Sequence, residues 1–144
     1  MKFKSIVAAS VLALSAAGSY AQSFTSGTSG SFSYLVSQGA SLTASVTSVL
    51  TGGVGFTIGS VLFDSTPFAF TSTAVGGSTF DQYTFSASSL AAGTYTIFVT
   101  GTGTAGSAYT GNVVITPVPE PQTYALILAG LVAVGFLGAR RKRV

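Results

Sequence analysis

The sequence predicts an all-β fold, a small antiparallel β-sandwich, carried between an N-terminal signal peptide and one C-terminal transmembrane helix. Three observations predict it. The middle of the chain alternates apolar and polar residues with period two; Gly- and Pro-containing turns separate the alternating runs; and nearly all charge is confined to the two ends. The 144 residues divide accordingly into 1–21, the signal peptide, 22–117, an exported β domain, and 118–144, a tail of different composition.

The N-terminal stretch "MKFKSIVAASVLALSAAGSYAQS" has the three parts of a secretory signal peptide. Lys2 and Lys4 form the positive region and residues 5–17 the apolar region. Ser19, Tyr20 and Ala21 provide small residues flanking a cleavage point between Ala21 and Gln22. The apolar region is too short for a membrane anchor. Absence of Cys excludes disulfides and an acylated cysteine, so an exported domain of this composition is held by its core alone.

In the body, Phe32, Tyr34 and Val36 share one face of "SFSYLVS", and Leu42, Ala44 and Val46 one face of "SLTASVTS". Val54, Phe56 and Ile58 do so in "VGFTI". In "GTYTIFVTG", Tyr95, Ile97 and Val99 oppose Thr94, Thr96, Phe98 and Thr100. Turn signals stand at Gln38-Gly39, Gly52-Gly53, Pro67, Gly76-Gly77 and Ala92-Gly93. Short strands at this spacing suggest an immunoglobulin-like or jelly-roll-like sandwich. "LAAGTY" resembles a tyrosine corner, in which the Tyr95 hydroxyl returns to the backbone just upstream. "GTGTAGSAYTG" reads as a flexible connection to a last strand over residues 112–116, since no Lys and no helix start follow it as a phosphate-binding loop requires.

Charge and residue types exclude whole classes of function. All six basic residues are terminal: Lys2, Lys4, Arg140, Arg141, Lys142 and Arg143. Nucleic-acid binding needs Lys or Arg to neutralise phosphates, and the body has neither. Without His or Cys there is no Ser-His-Asp triad, no thiol nucleophile and no zinc site of the usual kind. The chain is therefore expected to be no enzyme and to carry no cofactor. Asp64 and Asp81 are the body's carboxylates. Facing each other they would suit glycoside hydrolysis or, with backbone carbonyls, calcium; as turn residues, the preferred reading, they do neither. Tyr34, Tyr83 and Tyr109 are candidates for stacking on sugar rings, though each fits equally well as core or edge packing; a polysaccharide-binding module is the alternative function. Strand edges without Lys are poorly protected against edge pairing, which favours self-association.

The tail "VPEPQTYALILAGLVAVGFLGARRKRV" holds an apolar run over residues 124–139. As a helix its sixteen residues span roughly 24 Å against about 30 Å of hydrocarbon, so crossing requires local thinning or snorkelling of the flanking residues. Arg140, Arg141, Lys142 and Arg143 would stay cytoplasmic. Before the run, Val118, Pro119, Glu120 and Pro121 read as a stiff extended segment joining neither sheet nor helix, because proline fixes φ and extends the residue before it.

These residues resemble the PEP-CTERM sorting signal: a V-P-E-P motif, a short apolar run and a terminal Arg-rich cluster, in that order. Upstream, "LAAGTYTIFVTGTGTAGSAYTGNVVITPVPEP" is similar to the end of the FxDxF-type group, although no Asp precedes Asp64 to supply that group's early motif. The resemblance implies sorting by an exosortase, a membrane-embedded cysteine protease that acts near Pro-Glu-Pro in Gram-negative bacteria. It implies a membrane intermediate, then release or attachment at the cell surface or in an extracellular matrix, in species that make exopolysaccharide and form biofilm. On this resemblance Pro119, Glu120 and Pro121 are recognised by the processing enzyme and the chain is its substrate.

Overall fold

A computed structural model of the chain describes residues 9–12, 19–36, 39–118 and 121–141. Its strands are β1 (Ala9–Leu12), β2 (Tyr20–Ser26), β3 (Gly30–Val36), β4 (Ala40–Thr51), β5 (Val54–Phe63), β6 (Thr66–Pro67), β7 (Ala69–Val75), β8 (Ser78–Leu90), β9 (Gly93–Gly103) and β10 (Tyr109–Pro117), followed by helix α1 (Pro121–Arg141). One layer runs β1-β3-β9-β5-β6 and the other β2-β10-β4-β8-β7. They join where β4 turns into β5 through the pairs Leu50 with Gly55 and Thr51 with Val54. Every pairing is antiparallel except β1 on β3. From β2 to β5, consecutive strands alternate between layers, the interleaving of a jelly roll rather than of an immunoglobulin sandwich.

The expected alternation sets the core. Phe32, Tyr34 and Val36 are buried, as are Leu42, Ala44 and Val46, and Phe56, Ile58, Ile97 and Val99 complete the facing layer. Val54 departs from the expected face and is 61% exposed, because it lies beside the β4–β5 turn, beyond the cover of the other layer. Two-residue hairpins form at Gly52-Gly53, with φ of 60° and 80°, and at Gly76-Gly77, with φ of 58° and 82°. Both central residues of such a turn need positive φ to match the strands' twist, which glycine supplies without steric cost. Gly111 has a different role. The Phe24 ring of the paired strand occupies the space where a side chain at residue 111 would begin.

Several expectations are corrected. Pro67 is not a turn residue; it closes the short β6, and the turn lies at Asp64-Ser65. The last strand begins at Tyr109 rather than at residue 112, leaving only residues 104–108 as connection. Asp81 is in the middle of β8, paired with Ser48 and Ser72, not in a turn. The tyrosine corner is present: the Tyr95 hydroxyl donates to the Ala91 carbonyl at 2.9 Å. Ala9–Leu12, inside the expected signal peptide, forms a strand along the free side of β3, while residues 1–8 and 13–18 lie outside the described set.

The tail also differs. Pro121 opens α1 instead of extending the linker, a position that suits proline because the first-turn N–H has no helical partner. Pro119 and Glu120 lie outside the described residues. Residues 124–139 are helical, but among the described residues no helix is long and apolar enough to cross a membrane, so the expected transmembrane helix is not met as a span. Every α1 side chain described is exposed.

Alternation along β9 yields a direct test. Ile97→Ala empties a fully buried position and is expected to lower the unfolding free energy by about 2–5 kcal/mol. Thr94→Ala, on the outward face, is expected to change it by less than about 0.5 kcal/mol. Urea denaturation of the two variants measures the difference.

Candidate functional site

The tail leaves the sandwich at a fixed point. β10 ends at Pro117, and the Val118 N–H donates to the Gly39 carbonyl at 2.9 Å. Two residues further on, α1 begins, and its 21 residues extend about 31 Å at the usual rise. Leu126, Val132 and Val134 are each about 70% exposed, and Ala, Gly, Leu and Val surround the helix on all sides. The helix therefore has no polar face along its length between Tyr124 and Ala139. Arg140 and Arg141 form its last turn, where positive charge complements the helix dipole. Lys142 and Arg143 lie outside the described residues.

The two body carboxylates are kept apart in different roles. Asp64 has φ of 51°, a left-handed conformation that Asp tolerates better than most residues. Its carboxylate accepts the Thr96 N–H and its own N–H donates to the Thr96 carbonyl, both at 2.8 Å. Asp64 thus imitates one more strand pair at the end of β5. Asp81 Oδ1 accepts from the Ser72 hydroxyl at 2.6 Å on the other layer. Among the described residues no group of three or more His, Cys, Asp or Glu side chains could hold a metal ion.

The three tyrosines proposed as sugar platforms are core residues. Tyr34 is 3% exposed, Tyr83 8% and Tyr109 none. Tyr83 donates its hydroxyl to the Ile58 carbonyl and Tyr109 donates to that of Thr28, each at 3.1 Å. Ring stacking on a polysaccharide by these residues is therefore excluded. Alternation placed Tyr34 on the buried face of its strand; for Tyr83 and Tyr109 the strands themselves had first to be located.

Ala21 and Gln22 fall inside β2, opposite Val114 and Val113 of β10. Gln22 Oε1 is buried without a hydrogen-bond partner, as is Ser48 Oγ on β4. On the outer face of the β2-β10-β4-β8-β7 layer there is a cleft of about 640 Å³ that sequence reasoning did not single out.

Residues 117–143 match the family described as the PEP-CTERM protein-sorting motif. The tail is a PEP-CTERM sorting signal. A PEP-CTERM tail marks an exported bacterial protein for surface sorting, and the processing partner it implies is an exosortase. Val118, Pro119, Glu120 and Pro121 lie within that match, as do Arg140, Arg141, Lys142 and Arg143. No curated protein matches the chain. Among solved structures, the pre-peptidase C-terminal domain of collagenase from Bacillus anthracis is similar at 17% identity and a TM-score of 0.36, over 78% of this chain and 99% of that one.

Burial also sets a pH dependence. It raises the phenol pKa of Tyr34 and Tyr109 above the ordinary value near 10, and that of Tyr83 likewise with a smaller contribution from Asp81. The unfolded chain therefore loses these protons first as pH rises. Stability is expected to be unaffected by them below pH about 10 and to fall above it. Thermal melts between pH 8 and pH 11.5 measure this, and Tyr109→Phe is expected to flatten the decline.

Proposed function

We propose that the protein is a non-enzymatic component of the cell surface or extracellular matrix of a Gram-negative bacterium, associated with biofilm or exopolysaccharide and delivered by an exosortase. The observation that carries this reading is the construction of the tail. The Val118 N–H ties the end of β10 to Gly39, the sequence then carries Glu120 between two prolines, an exposed apolar helix follows, and a basic cluster closes it. The helix serves as a temporary stop at the membrane. It needs to hold the chain only until the enzyme has acted, so an apolar run shorter than a comfortable span is sufficient.

At the other end, the signal peptide over residues 1–21 is removed during export. Cleavage between Ala21 and Gln22 leaves residues 22–26 as the remainder of β2, still paired with β10. Removal of Ala9–Leu12 also uncovers the edge of β3. Self-association of the mature protein is favoured by a second edge, β7, which is exposed along its whole length and carries no charge or proline. The non-enzymatic reading is supported by the lack of His and Cys and by the separate engagement of Asp64 and Asp81.

Top-down mass spectrometry of the surface and secreted protein tests the proposal. The mature form is expected to start at Gln22 and to lack Arg140 to Val144; a mature chain that retains those last residues overturns the sorting claim. Replacing Pro119, Glu120 and Pro121 together by Ala is expected to leave the uncut precursor in the membrane fraction.

A further inference from the structure

The cleft on the outer face of the β2-β10-β4-β8-β7 layer has a regular chemistry. Strand register places Asn112, Ser45 and Thr84 side by side on β10, β4 and β8. One row along, Thr43 stands beside Ser86. Neighbours within a row are about 4.8 Å apart and the rows about 7 Å apart. All five side chains line the cleft, and Pro67 forms part of its wall. Its volume of about 640 Å³ lies in the range of ligand sites.

Among the described residues, none of these hydroxyl and amide groups has a side-chain hydrogen bond. That is not the rule for this molecule. On the other layer, outward hydroxyls satisfy one another across the strands: Ser33 with Thr96 at 3.1 Å and Ser60 with Thr100 at 2.8 Å. The cleft keeps its donors and acceptors open. No charged residue lines it, and Asp81 on β8 alternates to the opposite face from Thr84 and Ser86. A site of neutral groups, each able both to donate and to accept, complements a ligand that presents hydroxyls and no charge.

We propose that this cleft binds an uncharged polysaccharide chain through Asn112, Ser45, Thr84, Thr43 and Ser86. An anionic polymer finds no cation there, and a protein partner finds no Arg anchor and, in Phe85, only a half-buried aromatic. The sugar's C–H faces rest against Pro67 and Ala69. The proposal deepens the surface-protein reading by naming a ligand class, and rests on it only for the setting in which such a polymer is met.

The test uses the full chain in detergent, applied separately to cellulose, xylan and dextran supports, with alginate as the charged control. Retention on at least one uncharged polymer, and at least tenfold weaker binding to alginate, is expected. The variant S45A/T84A/N112A is expected to lose tenfold or more of that binding, with an unchanged melting temperature because all three positions face outward. Should it melt early, Thr84→Lys offers the same test by filling the cleft. S33A/T96A, on the opposite layer, is expected to bind normally. Retention on none of the three uncharged supports overturns the proposal, as does equal binding by the cleft variants. Tail processing of S45A/T84A/N112A in cells, read by mass spectrometry, is expected to be normal, so failure of glycan binding and failure of sorting are seen separately.

Discussion

The fold depends on aromatic side chains packed between two uncharged sheets. Tyr109 is central at one end: its ring meets Phe56 at 4.8 Å and both Phe24 and Phe32 edge-on at 6.4 Å, while Phe24 and Phe32 stack at 3.9 Å. At the other end Phe63 stacks on Phe85 and Tyr95, and Phe68 stacks on Phe85. A body of about 95 residues, without disulfides and nearly without charge, has little else to hold its layers together. Gly111 belongs to this arrangement, since its missing side chain is what admits the Phe24 ring over β10.

That dependence explains the surface. Apart from exposed residues such as Phe70, Phe80 and Phe98, the outer faces are largely Ser and Thr, and cross-strand hydroxyl pairs replace the ion pairs that most sheets carry outside. Such pairs are short and neutral, so they survive changes of salt that would weaken ion pairs. The same economy leaves the edge of β7 without the lysines that usually discourage pairing with another chain.

The tail is independent of this construction. It meets the sandwich through the Val118 to Gly39 bond, directly after the last strand, and its information lies in the order of its parts rather than in a packed geometry.

How much of this was legible follows from what each signal depends on. Period-two alternation identified the inward faces of β3, β4 and β9, because side-chain direction in a strand is a local property. Gly-Gly pairs located two hairpins, and "LAAGTY" the tyrosine corner, for the same reason. The tail could be read because its recognition depends on linear order. Asp81 was misplaced in a turn and the choice between core and surface for Tyr83 and Tyr109 stayed open, since β8 and the start of β10 are rich in Ser, Thr and Gly and become strands only through partners distant in sequence. The open hydroxyl rows were invisible for a further reason: Asn112, Ser45 and Thr84 become neighbours only when β4 takes its register between β10 and β8. The sequence by itself determined the all-β class, the body without positive side chains and the sorting tail. The tertiary structure alone decided the interleaved strand order, the burial of the tyrosines and the cleft, because each of these depends on contacts between residues far apart in the chain.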